Sequence, residues 1–149
     1  MEKLSDHFSL AEATATSHRG IDNTPNAEQL EAMRYSASQL EKVRAALDNK
    51  PILINSWLRV PALNAAVGGS GKSQHMKGEA IDFICPGFGT PLEICRRIQA
   101  LKDVIKYDQL IYEGNWVHVS FVRPPSSPRH SELTWMLDKS YSTGILENR

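Results

Sequence analysis

The sequence is short of cysteine, has no excess of either charge and contains no long apolar run. Only Cys85 and Cys95 are present, with no CxxC pair and no zinc-finger spacing. They are expected to be two buried thiols in a reducing compartment. Seventeen basic residues balance seventeen acidic ones. Nothing therefore predicts a dominant attraction to phosphate backbones, and nucleic acid is not an expected partner. No apolar stretch is long enough to span a bilayer, so membrane insertion is not expected. The start, Met1 to His7, lacks an apolar h-region. Synthesis and folding in the cytoplasm without a Sec-type leader are expected. The HExxH zinc helix is also absent.

What is present suits one domain of 149 residues, with a core over about 7–123 and a C-terminal arm over 124–149. Ser9-Leu10-Ala11-Glu12 fits a capping box and predicts a short helix. Thr24 and Pro25 fit the cap and first turn of a second helix. Its apolar stripe is Leu30, Met33, Ala37, Leu40, Val43 and Leu47, ended by Asp48-Asn49-Lys50-Pro51. Ile52-Leu53-Ile54 reads as a buried strand, and Pro61 as the start of a short helix. Gly68-Gly69-Ser70-Gly71 reads as a loop. Ala80 to Ile84 reads as a strand, and Thr90-Pro91-Leu92-Glu93 as a second capping box. Asp108 to Glu113, Gly114-Asn115 and Trp116 to Phe121 form a hairpin pattern with a type II′ turn. The last twenty or so residues read as a packed arm or a loose tail. This order of helices and antiparallel strands predicts an α+β domain.

The chemistry concentrates in two places. Ser73-Gln74-His75-Met76-Lys77-Gly78-Glu79-Ala80-Ile81-Asp82 holds a histidine, a turn glycine and an aspartate entering a strand. Trp116-Val117-His118-Val119-Ser120 holds a second histidine on a strand. Side chains alternate along a strand, so His118 shares a face with Trp116 and Ser120, opposite Val117, Val119 and Phe121. Two imidazoles and one carboxylate make up a zinc set with one position left for water, as catalytic rather than structural sites have, although on spacing alone ordinary surface histidines are the first reading of His75 and His118. If Gly114-Asn115 is the turn, Glu113 lies opposite Trp116 and on the diagonal to His118, with Cβ atoms about 7 Å apart. That reach suits a general base. Asp108 lies on the opposite parity and is the weaker candidate. Glu79 reads as solvated.

The stretch from Ser73 to Asp82 matches the SxHxxGxAxD signature of the zinc D-Ala-D-Ala carboxypeptidases at every fixed position. Trp116-Val117-His118 resembles their second motif. The likeness runs from His7-Phe8-Ser9-Leu10 through Ser56-Trp57-Leu58-Arg59 to Phe121, and looks closest to the phage and bacterial branch that includes endolysins. The wider superfamily takes in the VanX and VanY dipeptidases and the hedgehog signalling domain. The resemblance implies a central antiparallel sheet with packed helices, and Zn2+ held by His75, Asp82 and His118. It implies that Arg59 binds a substrate carboxylate or the carbonyl oxygen, and that Ser73 contacts substrate. Trp116 is expected either to wall the cleft or to belong to the core. Many relatives carry an acid three positions before the second histidine, where this chain has Asn115, so Glu113 is the expected substitute. The implied substrate is the stem peptide or cross-link of peptidoglycan, cut by a D,D-carboxypeptidase or endopeptidase. The implied setting is a monomeric phage endolysin that reaches the periplasmic wall after release from the host cytoplasm.

Three other readings remain open. One is an L-alanyl-D-glutamate endopeptidase of the same fold. Another is a zinc-bearing cell-wall binding module without catalysis, which Asn115 keeps alive. The third is nucleotide binding, since Gly71-Lys72-Ser73 resembles the end of a P-loop. Ala66 stands where that motif needs glycine, however, and the segment leads into Gln74-His75 instead of following a strand.

Overall fold

The structure, a computed structural model, describes residues 2–149. A small ribbon of β1 (Lys3–Ser5) and β2 (Phe8–Ser9) leads into α1 (Leu10–Thr14) and the long α2 (Ala27–Ala46). β3 (Leu53–Ser56), α3 (Pro61–Ala66), a 3-10 turn (Gln74–Lys77), β4 (Ala80–Ile84) and α4 (Pro91–Ala100) follow. The chain ends in β5 (Gln109–Tyr112), β6 (Val117–Ser120), β7 (Ser131–Trp135) and β8 (Tyr141–Thr143). Six of these strands form one sheet in the order β3-β4-β6-β5-β7-β8. Every neighbouring pair is antiparallel except β5 and β7, so the sheet is mixed and the class is α+β.

Local chemistry accounts for the helix starts. Ser9 and Glu12 close a reciprocal capping box, as do Thr90 and Glu93 with Pro91 behind the cap. The long helix starts two residues later than Thr24 suggests. Asn26 caps it, bonding the Gln29 amide while the Gln29 side chain returns to the Asn26 N–H. Thr24 instead spends its hydroxyl on Asp22. Asp48 and Asn49 both take positive φ, which ends the helical path after Leu47.

The core lies behind the sheet. Met33, Ala37, Leu40, Val43 and Leu47 on the α2 side meet Ile94, Cys95 and Ile98 of α4 and the inward strand residues Ile81, Phe83, Leu110, Val117 and Val119. The alternation along β6 holds, with the two valines buried in the core and His118 on the opposite face. β3 departs from the sequence expectation. It begins at Leu53, which is half exposed because β3 is a sheet edge, and Ile52 just before it is the buried residue.

The C-terminal arm is a packed part of the sheet. β7 runs alongside β5, and β8 folds back on β7. Asp108 anchors the arm's entry: Arg129 grips its carboxylate through Nε and Nη2, at 3.0 and 2.7 Å, and adds its backbone N–H at 2.9 Å. Further along, the Tyr107 hydroxyl donates to Glu132. Burial alone would raise the Asp108 carboxyl, but the Arg129 hydrogen bonds and charge hold it below the usual carboxylate range.

Two predictions follow from this packing. A group whose native pKa is depressed contributes stability above its unfolded value, near pH 4, and loses it as pH falls through the native one. Asp108→Asn is therefore expected to lower Tm at pH 7, with the gap to the parent closing as the pH is taken down through that range. Both cysteines are free and buried, and burial pushes the Cys95 thiol up to about 12. Native protein at pH 8 is expected to be silent to a thiol reagent, with both cysteines reacting once guanidinium unfolds it.

Candidate active site

One register decides the site. Asp82 of β4 lies directly opposite His118 of β6, and side chains so paired point to the same face. The same row continues through Ile111 of β5 and Leu133 of β7. This face forms the floor of a cleft of about 570 Å³. His75 enters it from the side, on the 3-10 turn.

Each fixed position of the Ser73–Asp82 motif has a visible task. Ser73 caps the turn, its Oγ accepting the His75 N–H at 3.2 Å. Gly78 has φ +76, and a Cβ there would lie 2.6 Å from Met33 Cγ of α2. Ala80 is fully buried. Trp57 then locks the segment at both ends. Its indole Nε1 donates to the Gly78 carbonyl at 3.0 Å, and its own carbonyl accepts from His75 Nδ1 at 2.7 Å. That second bond places the ring proton on Nδ1 and leaves Nε2 as a lone-pair donor aimed into the cleft.

His75 Nε2 is buried and has no hydrogen-bond partner. It stands 3.2 Å from Asp82 Oδ2, close but out of line for a hydrogen bond. His118 Nδ1 lies 2.9 Å from Asp82 Oδ1. One ligand atom from each of the three residues falls within 4.8 Å of the others. Ligands about 2.0–2.2 Å from a tetrahedral zinc sit about 3.3 Å apart. Two imidazoles and a carboxylate converging at this spacing, one of them an otherwise orphaned nitrogen, fit such an ion. The charge states agree. Burial depresses the His75 pKa, so the ring is neutral as a ligand must be. Burial would raise Asp82, but the hydrogen bond with His118 and the close approach of the His75 ring hold its carboxyl well below the usual range, so it is ionised.

The other expected residues also line the cleft: Arg59, Ser73, Glu113 and Trp116. Arg59 is held by its backbone N–H to the His75 carbonyl at 3.0 Å. Its Nε is buried without a partner, and burial lowers its pKa while Asp82 raises it. Glu113 sits where the two-residue turn puts it: its N–H donates to the Trp116 carbonyl at 3.1 Å, and Gly114 takes φ +92. Burial pushes the Glu113 carboxyl above the ordinary glutamate value, and the nearby Asp82 charge adds to this, opposed by His118. Asp108 is drawn away from the metal cluster to Arg129. Glu79 is half-buried rather than solvated, taking a 3.3 Å bond from Gln74, and burial raises its pKa. The Gly68–Ser73 segment curls through a turn into four residues of 3-10 helix, with no strand before it and no long helix after it. It is a cleft wall, unlike a P-loop.

Arg129, Leu133 and Tyr141 line the cleft from the arm. Sequence reasoning left these three out. The alternating Ser131–Trp135 segment, followed by Tyr141, was the available signal, readable only with the arm taken as strand.

Fold and site together define an α+β domain with a His-Asp-His cluster in a cleft that could hold a metal ion. A family model described as Peptidase M15 matches residues 6–120, and the chain belongs to that peptidase family. No curated protein matches the chain.

Metal analysis after dialysis is expected to find stoichiometric zinc in the parent protein. His75→Ala and His118→Ala are each expected to lose it while keeping the far-ultraviolet circular dichroism of the fold.

Proposed function

We propose that the protein is a zinc peptidase that hydrolyses peptide bonds in peptidoglycan stem peptides, with D,D-carboxypeptidase or endopeptidase activity ranked first. The observation that carries this reading is the sharing of one cleft by three convergent side chains able to hold an ion and a glutamate of raised pKa with no ion-pair partner among the described residues. His75, Asp82 and His118 hold the ion in this reading. Zinc supplies a Lewis acid for the scissile carbonyl and makes water acidic enough to attack near neutral pH.

The chain's own groups do the rest. Glu113 accepts the proton of the attacking water and returns it to the leaving amine, base first and acid second. Its raised pKa suits both halves of that cycle. Arg59 presents a guanidinium to the substrate carboxylate or to the developing oxyanion. It lines the cleft, and its backbone is tied to the turn that carries His75. Ser73 already accepts one hydrogen bond, so its own hydroxyl proton is free for substrate. Trp116 walls the cleft.

The setting is that of a phage endolysin acting on the periplasmic wall, a reading that rests on the motif resemblance. No helix among the described residues is long and apolar enough to cross a membrane.

Asn115 favours the alternative of a zinc-bearing module without catalysis. Against it stands Glu113, which is diagonal to His118 and free of any ion pair within 4 Å among the described residues. Zinc-loaded protein is expected to digest purified peptidoglycan, with mass spectrometry of the fragments reporting the bond cut. Cleavage between L-alanine and D-glutamate would replace the D,D assignment. Glu113→Gln is expected to lower turnover by about 10²–10⁴ with zinc still bound. A zinc-loaded parent with no turnover would leave only the binding module.

A further inference from the structure

We propose that Tyr141, carried by the C-terminal arm, is a positioning residue that holds the Glu113 carboxylate in the cleft through its hydroxyl. The proposal rests on the reading of Glu113 as general base. The matched family region stops at residue 120, so the arm that brings Tyr141 lies beyond it.

Strand register puts the two side chains together. Tyr112 is beside Thr134, so one step further along the parallel pair Glu113 comes level with Trp135. Trp135 in turn pairs with Tyr141. The three therefore share the cleft face in one row. Trp135 is the platform in the middle, its ring centroid 4.7 Å from that of Tyr141 at a 57° tilt. Leaning over that platform, the Tyr141 hydroxyl comes 3.5 Å from Glu113 Oε1. Among the described residues no other donor bonds this carboxylate. A separation at the outer limit of a hydrogen bond is common for catalytic pairs until substrate binds.

The arm also supports Glu113 from the other side of the turn. Arg149 donates from Nε to the Trp135 carbonyl at 2.8 Å and lays its guanidinium over the Tyr112 ring, 5.6 Å from the centroid. The same guanidinium covers Gly114, where a Cβ would lie 2.6 Å from it. A hairpin-end glutamate has three side-chain torsions to fix, and ordering them costs entropy. Here the backbone below Glu113 is covered by Arg149 and one carboxylate oxygen is met by Tyr141. The second oxygen is left for the water proton. Tyr141 keeps its own proton throughout, since burial and the Glu113 charge both raise its pKa.

The test is Tyr141→Phe in the full zinc-loaded chain, with a soluble cross-linked muropeptide as substrate. Phenylalanine keeps the stack on Trp135 and removes only the hydroxyl. The expected result is a fall in kcat of about three- to tenfold, the scale of one ordinary hydrogen bond, as suits a contact this long. KM, Tm and zinc content stay at parent values. The acid limb of kcat/KM moves to higher pH, because a carboxylate that loses a donor titrates higher. Unchanged kcat together with an unmoved acid limb would overturn the proposal. Glu113→Gln separates the two layers. If it is inactive while Tyr141→Phe behaves as the parent, the positioning role fails and the base survives. If it keeps parent turnover, the base reading fails and the positioning role with it. A further drop when Tyr141→Phe is added to Glu113→Gln would mean that the hydroxyl acts on substrate directly, which also overturns positioning.

Discussion

The antiparallel pairing of β4 with β6 is the constraint on which the rest depends. It sets Asp82 opposite His118 and, by the same register, Ile81 opposite Val119 and Phe83 opposite Val117. The polar row and the apolar rows cannot be separated. A slip of one residue would turn Asp82 and His118 into the core and expose two fully buried side chains on each strand. Burying one large apolar side chain is worth about 1.5–3 kcal/mol. Four such residues therefore hold the register far more firmly than any attraction between Asp82 and the two histidines could. The hydrophobic core thus pins the geometry of a site whose own groups, before an ion binds, gain little from meeting.

His75 needs a different device, because it lies on a four-residue turn with no ladder to hold it. Trp57 provides it, fully buried itself and bonded to both the histidine ring and the glycine that ends the turn. Arg59, two residues on, ties its backbone to the same histidine. β3 is thus an edge strand whose exit carries the second layer of the site. This explains why a stretch that contributes no ligand bears a buried tryptophan and an arginine in succession.

The legible parts of the fold were those set by neighbours in sequence. The Ser9 and Thr90 capping boxes, the Gly114-Asn115 turn and the β6 alternation could all be read, since each rests on residues within a few positions of one another. The turn was the most productive, because it fixed the parity that brings Glu113 to the His118 face. Thr24 misled because it and Asn26 are both good caps, and the choice depended on Gln29 closing the box. Leu53 misled because an apolar triplet does not say whether its strand is central or at an edge. The arm stayed ambiguous for a different reason. Its strand pairs in parallel with β5 across about twenty residues, a nonlocal contact no local pattern announces.

That nonlocal contact bears on where the cleft's free carboxylate sits, at Glu113 with Asn115 in the loop beside it. An acid in place of Asn115 would sit in the hairpin loop itself, three residues before His118. Glu113 sits on the strand side of the loop, two registers from His118 along the sheet, and needs support from whatever lies on its outer flank. In this chain the outer flank is β7 and β8, and their side chains at that row are Trp135 and Tyr141. A carboxylate on the strand side of the loop takes its support from a neighbouring strand, where one in the loop would depend on its own turn. The sheet extension and the placement of Glu113 are then one arrangement. The arm is accordingly as much a part of the cleft as the motif strands, although it carries no metal-binding residue.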